Sequence, residues 1–181
     1  NAYELVRKSR IPVVNVDLII GLPQETEQEI AYSLEQAVKL APENLTVHTL
    51  TLKRSAPLFQ KQEQAVLTTQ VAEKMVQRAA EMAAVIGLEP YYLYRQHYML
   101  GHLANIGYAK PGTESIYNIQ MMEERHPVIG VGPASASKVP LPDGHHLHKL
   151  NMPKNVAVYG ARLQELAERR RDLFNIEGTD L

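Results

Sequence analysis

A lone carboxylate inside an apolar run is the first place where this sequence could do chemistry. Asp17 stands within Val13-Val14-Asn15-Val16-Asp17-Leu18-Ile19-Ile20. Burying an unpaired carboxylate among such residues is costly, so either a ligand or a neighbouring loop must satisfy it. Strands of open α/β folds present their carboxyl ends to the ligand crevice, and Asp17 lies towards that end of its run. The segment that follows, Gly21-Leu22-Pro23-Gln24-Glu25-Thr26, has a glycine that lets main chain approach a ligand closely. The same residues also make an ordinary strand-to-helix turn.

Three further stretches carry reactive or recognition-capable side chains. Ile129-Gly130-Val131-Gly132-Pro133-Ala134-Ser135-Ala136-Ser137 is rich in glycine and small residues. It lacks the third glycine and the following helix of a dinucleotide fingerprint, which disfavours that site and leaves a flat ligand edge or a tightly packed strand. His145, His146 and His148 follow Pro142-Asp143-Gly144, a turn sequence, and alternate with Leu147 and Leu150 as a hairpin arm does. Solvent-facing histidines are expected there, and no metal site is assigned. Tyr91-Tyr92-Leu93-Tyr94-Arg95-Gln96-His97-Tyr98 offers flat apolar area with polar tips and one guanidinium. It reads either as the wall of a pocket for a planar substrate or as a half-buried aromatic strand.

Composition limits what these residues can be for. Nineteen basic against twenty acidic side chains leave a formal charge of -1, so the broad positive surface that nucleic acid requires is missing. The longest apolar stretches are too short to span a bilayer and no signal peptide is visible, so the expectation is a cytoplasmic protein without a membrane partner. With no cysteine, these residues cannot form a disulfide, a zinc ribbon or the thiolate seat of an iron–sulfur cluster.

The elements that must position the candidates follow from periodicity. Residues 1–9 read as the tail of a helix ended by Pro12, and the β-branched run through Ile20 reads as a strand covered on both faces. Thr26 with Glu29 forms a capping box opening a helix through Ile30, Leu34, Ala37, Val38 and Ala41. Leu45–Leu52 is a second strand, so the two strands form a parallel βαβ pair. A helix is predicted from about Gln62 to Ile86, with Gly87 as its stop signal. Beyond Leu88, tyrosine, glycine and proline predict short strands and ordered loops up to Asn155. Asn155 caps a last helix to Phe174, whose Val158, Leu163, Leu166 and Leu173 face inward.

Taken in order, these segments resemble one family. Val14-Asn15-Val16-Asp17-Leu18-Ile19-Ile20-Gly21-Leu22-Pro23-Gln24-Glu25-Thr26 resembles the strand and loop of oxygen-independent coproporphyrinogen III oxidases, within the radical S-adenosylmethionine superfamily. Gly107-Tyr108-Ala109-Lys110-Pro111-Gly112, Tyr117-Asn118 and the segment from Ile129 to Ser137 follow in that family's order, and the variant most resembled is the coproporphyrinogen dehydrogenase of HemZ type. The resemblance implies an α/β fold: the C-terminal part of a partial (β/α)6 barrel with a mixed α+β extension. Residues 1–88 would supply the last β/α units and 89–181 the extension. It also implies that the cluster-binding cysteines precede the residues present here, that the native gene continues upstream, and that this chain alone is inactive.

The implied reaction uses S-adenosylmethionine and a [4Fe–4S] cluster. Reductive cleavage gives a 5′-deoxyadenosyl radical that takes hydrogen from a propionate. Carbon dioxide then leaves, and two such events turn coproporphyrinogen III into protoporphyrinogen IX. Its partners would be that tetrapyrrole and an electron donor, and exposed barrel edges of the chain would favour self-association. Carried over by position, Asp17, Thr51 and Ala136 match S-adenosylmethionine-contacting residues. A Phe-Gln pair that precedes Gly-Tyr in the best-known branch is replaced by Asn105-Ile106 here. Arg54, Arg95, Lys110 and Lys138 are propionate partners expected from charge. A haem-binding chaperone on the same scaffold and a non-catalytic interaction module stay open as alternatives.

Overall fold

The structure is a computed structural model that describes residues 2–51, 68–95, 103–144 and 146–175. A short helix, α1 (Ala2–Lys8), is followed by β1 (Asn15–Ile20) and then by α2 (Glu27–Leu40), whose first turn has the expected capping box. The Thr26 hydroxyl accepts the Glu29 N–H at 3.3 Å, and the Glu29 carboxylate accepts the Thr26 N–H at 2.8 Å. Two of the orphan amides at the helix start are satisfied in this way. Ala41, at φ 49°, turns the chain out of α2, and the buried Pro42 follows.

β2 (Asn44–Thr49) runs parallel to β1, with Asn15 opposite Asn44 and Ile20 opposite Thr49. The βαβ pairing is therefore as the periodicity requires. α3 (Thr69–Val85) packs against α2 and buries Ala72, Met75, Ala79 and Ala83, and Gly87 at φ 74° breaks the chain away from it. The expected start of this helix near Gln62 lies outside the described residues. Two antiparallel strands, β3 (Glu89–Tyr94) and β4 (Asn105–Ala109), extend the sheet to the order β1-β2-β4-β3. The change of texture after Leu88 thus falls inside one sheet, because β4 hydrogen-bonds directly to β2.

The core lies on one side of this sheet. Ile20, Leu45, Val47 and Tyr108 meet Ile30, Leu34 and Ala37 of α2 and Met75, Ala79 and Ala83 of α3. Burial of this apolar area is the main favourable term holding the layers together. β1 is not covered on both faces as its composition predicted: Asn15, Asp17 and Ile19 are exposed, while Val16, Leu18 and Ile20 point towards the helices. α4 (Ile116–Glu123) was also not expected, since it buries no residue and so has no apolar stripe to read.

The chain divides into two compact units, 1–122 and 123–181. In the second, β5 (Ala136–Pro140) and β6 (Leu147–Asn151) form an antiparallel hairpin, joined at its edge by an isolated bridge between Val128 and Lys138. The predicted last helix is two pieces, α5 (Val156–Ala161) and α6 (Leu163–Phe174), separated at Arg162. Leu166 and Leu173 join Val139, Leu150 and Met152 in a small core, whereas Val158 and Leu163 are exposed because the break at Arg162 takes them off that face.

One ion cluster ties α1 to the amino end of the sheet. Arg7 Nη1 donates to Glu43 Oε2 at 2.7 Å, Arg7 Nη2 to Oε1 at 3.1 Å, and the Val14 N–H to Oε2 at 3.0 Å. The Arg7 hydrogen bond is the largest influence holding the Glu43 carboxyl below the usual carboxylate range. A carboxyl depressed in the folded state stabilises the fold above its unfolded pKa of about 4.3 and loses that contribution as pH falls through the lower folded value. Glu43→Gln is expected to cost on the order of 1–3 kcal/mol at pH near 7, with the gap to the parent narrowing in acid as the carboxyl protonates. Urea denaturation at neutral and acid pH checks this, and a gap that does not change with pH would contradict it.

Candidate functional site

Side chains alternate along a strand, so burying Val16, Leu18, Leu45 and Val47 against the helices forces their neighbours to the other face. Asn15, Asp17, Ile19, Thr46 and His48 stand there, and the strand register adds Asn105, Gly107, Tyr92 and Tyr94. This face, turned away from α2 and α3, is polar at its centre. A single lateral row crosses it, with Asp17 opposite Thr46, Thr46 opposite Gly107 and Gly107 opposite Tyr92.

Gly107 is required by what lies over it. A Cβ built at that position would overlap the Tyr92 side chain, so the glycine makes room for the ring to cross β4 towards Thr46 on β2. Burial is the first cause holding the Tyr92 phenol above its ordinary value; the Thr46 hydrogen bond works against it, and the charges of Tyr91 and Asp17 add to it. Tyr91 packs edge-on against Tyr92 at 4.9 Å between centroids, and its hydroxyl accepts from Asn118 Nδ2 at 2.9 Å.

Asp17 is anchored through one oxygen. Asn15 Nδ2 donates to Asp17 Oδ1 at 2.6 Å, and Thr46 Oγ1 donates to Asn15 Oδ1 at 3.0 Å. His48 Nε2 lies 3.8 Å from the same Asp17 oxygen, and the carboxylate side chain is 60% exposed. The carboxylate is thus presented to the open face and not buried, and its presence in an apolar strand costs little.

The carboxyl end of the strands is fixed by another side chain. Asn105 Oδ1 accepts the Thr49 N–H at 2.9 Å, where the β2–β4 ladder has ended, and Leu50 N–H bonds Ile20 O at 2.9 Å. Thr51 follows directly. The loop after β1 satisfies itself: Glu25 Oε2 accepts the N–H groups of Gly21 and Leu22 at 2.8 and 3.1 Å. Those amides are therefore engaged by a carboxylate of the chain, which makes the segment a turn.

The other candidates are distributed as follows. Lys110 lies at the amino end of the strands, 3.7 Å from Glu43 Oε1, while Arg95 is exposed just past β3 at the opposite end. Arg54 lies outside the described residues. In the second unit Lys138 Nζ is 2.6 Å from Glu124 Oε1. Ala136 opens β5, and a Cβ on Gly130 would strike its main chain, so the glycine-rich segment is a close main-chain contact there. Ser137 Oγ accepts the Gly130 N–H at 3.1 Å. His146 pairs with Asp143 at 2.7 Å in the hairpin turn and His148 is exposed on β6, while His145 lies outside the described residues.

Against known proteins, this chain is 40% identical over 169 residues to the oxygen-independent coproporphyrinogen-III oxidase-like protein HemZ of Bacillus subtilis, covering 93% of the chain and 34% of that protein. The similarity to this coproporphyrinogen-III oxidase-like protein runs through most of the chain. The haem chaperone HemW of Escherichia coli is 26% identical over 133 residues, covering 74% of the chain and 32% of that protein. The structure of coproporphyrinogen III oxidase HemN of Escherichia coli, described as a radical SAM enzyme, superposes with a TM-score of 0.62 at 16% identity. That match covers 90% of the chain and 36% of HemN, and at this identity it speaks for the fold. No family model matches the chain. The chain spans about a third of the length of the curated relatives it matches.

The open Asp17 carboxylate directs attention to the sheet face turned away from α2 and α3. A carboxylate with one oxygen anchored and the other open suits a ligand that donates hydroxyl or ammonium hydrogens, as an S-adenosyl compound does. The residues do not suit an iron–sulfur cluster, because the chain has no thiolate to ligate iron. Of the pair that precedes Gly107-Tyr108, Asn105 is spent on the Thr49 amide and Ile106 packs against the core. No described helix is long and apolar enough to cross a membrane.

Asn15, Thr46 and His48 were not singled out from sequence, and Tyr92 stood out only as one of the tyrosine-rich stretch. The available signal was the i, i+2 spacing of Asn15 with Asp17 and of Thr46 with His48, which places each pair on one face. Gly107→Ala is expected to destabilise the first unit by about 1–3 kcal/mol by displacing the Tyr92 ring. Tyr92→Ala should remove most of that extra cost, so the double variant is less than additive in chemical denaturation. Full additivity would show that the ring does not rest on Gly107.

Proposed function

We propose that this chain is the C-terminal part of a radical S-adenosylmethionine enzyme that oxidatively decarboxylates coproporphyrinogen III to protoporphyrinogen IX. The observation that carries this reading is the 40% identity to HemZ over 93% of the chain. Further support comes from a fold like that of HemN and from a polar sheet face bearing Asp17, with Thr51 just past the carboxyl end of β2. In this reading the four-stranded sheet belongs to a partial barrel whose interior wall is that polar face.

S-adenosylmethionine with a reduced [4Fe–4S] cluster would supply the hydrogen-abstracting chemistry, and the cluster would be held by the remaining two-thirds of the full protein. The chain's own residues bind and orient. Asp17 accepts hydrogen bonds from an S-adenosylmethionine, while Thr51 and Ala136 pack against one. The substrate is a tetrapyrrole carrying propionates, and Arg95 is the strongest candidate to hold one, because a propionate at Lys110 or Lys138 would have to displace Glu43 or Glu124. Lacking thiolates, residues 1–181 alone are inactive in this reading.

Anaerobic incubation of the full-length protein with coproporphyrinogen III, S-adenosylmethionine and a low-potential reductant tests the assignment. Two vinyl groups should replace two propionates in the product, and Arg95→Ala should raise KM for the tetrapyrrole about tenfold. A second reading, a haem-carrying chaperone, is favoured by the HemW match. Haem titration separates the two: a stoichiometric Soret shift with no vinyl product would replace the enzymatic reading by the chaperone one.

A further inference from the structure

The polar row on the sheet is directional. The Thr46 hydroxyl donates its one hydrogen to Asn15 Oδ1 at 3.0 Å, which leaves its oxygen to accept from the neutral Tyr92 phenol beside it. Accepting at Oδ1 fixes which way the Asn15 amide faces, so its Nδ2 must point to the far side, where it meets Asp17 Oδ1 at 2.6 Å. Thr46 is itself only 3% exposed and lies in the row that the Tyr92 ring crosses over Gly107, so water does not compete for its hydroxyl. Two hydrogen bonds thus run one way, from the covered centre of β2 to the exposed carboxylate on β1.

The consequence falls on the second oxygen of Asp17. Among the described residues no donor is assigned to Oδ2, while Oδ1 takes Asn15 and has His48 Nε2 at 3.8 Å. A carboxylate free at both oxygens rotates about its χ2, whereas one gripped at Oδ1 keeps Oδ2 aimed at a fixed point. A lone exposed side-chain pair would contribute little, but Asn15 is held from behind by a buried hydroxyl, so its grip does not cost the ordering of two free side chains.

We propose that Asn15 and Thr46 are positioning residues that aim Asp17 Oδ2 at a hydroxyl or ammonium hydrogen of an S-adenosyl ligand. This rests on the reading of Asp17 as a ligand contact and adds the device that orients it. Neither residue touches the ligand. Their contribution passes through Asp17, and it disappears when Asp17 is removed.

Calorimetric titration of the full-length protein with S-adenosylhomocysteine, which binds without reacting, tests the device. Asn15→Ala should weaken binding about fivefold to tenfold and Thr46→Val about threefold, while Thr46→Ser, which keeps the hydroxyl, should bind like the parent. Asp17→Ala should weaken binding about tenfold or more, and adding Asn15→Ala or Thr46→Val to it should cost nothing further. Parental affinity in Asn15→Ala and Thr46→Val alongside a weakened Asp17→Ala would overturn the positioning role and leave the Asp17 contact standing. Equal losses with and without Asp17 would also overturn it, since they mark a general effect on the sheet. Parental affinity in Asp17→Ala would remove both the contact and the device. Asn15 is exposed, so its variant tests the idea even if Thr46→Val fails to fold.

Discussion

The period-two alternation of β1 and β2 couples the core to the site. Val16, Leu18, Leu45 and Val47 must meet α2 and α3, and the pleat then has no choice but to turn Asn15, Asp17, Thr46 and His48 to the opposite face. A slip of one residue in the parallel register would exchange the two sets. The hydrophobic contacts that hold the helices to the sheet are therefore also what keeps the polar row assembled. The site needs no stabilising energy of its own beyond local hydrogen bonds.

Gly107 and Asn105 show how β4 serves this face without adding a ligand group to it. The first gives up its side chain so that Tyr92 can cross the strand, and the second uses its side chain to replace a missing ladder bond at Thr49. Both actions hold β2 in place at the points where Thr46 and Thr51 depend on it. At the other end of the strands, Glu43 gathers Arg7, Lys110 and the Val14 amide, so positive charge is consumed in fastening α1. Arg95 lies beyond that cluster, at the end where the strands present their carboxyl termini.

Much of the first unit was legible because its signals are local. The capping box at Thr26, the two β-branched runs and the glycine stop at Gly87 each follow from side-chain chemistry within a few residues. The exposure of Asp17 was not legible, because an apolar run reads the same whether a strand has one covered face or two. The lateral row was hidden for a different reason: Asp17, Thr46, Gly107 and Tyr92 meet only through strand register, which no spacing along the chain encodes. α4 escaped notice because an exposed helix has no apolar period, and the break at Arg162 because the apolar spacing runs through it unbroken. The family resemblance rested on the motif around Asp17, and the identity to HemZ bears it out.

In the proposed function an S-adenosyl ligand lies on the face of the β1-β2-β4-β3 sheet turned away from α2 and α3. A crystal structure of the full-length protein with S-adenosylmethionine bound tests it most directly. A ligand is expected over the row from Asp17 to Tyr92, with a ligand donor within about 3 Å of Asp17 Oδ2. Every bound S-adenosylmethionine lying away from that row, with Asp17 facing only solvent or protein, would contradict it.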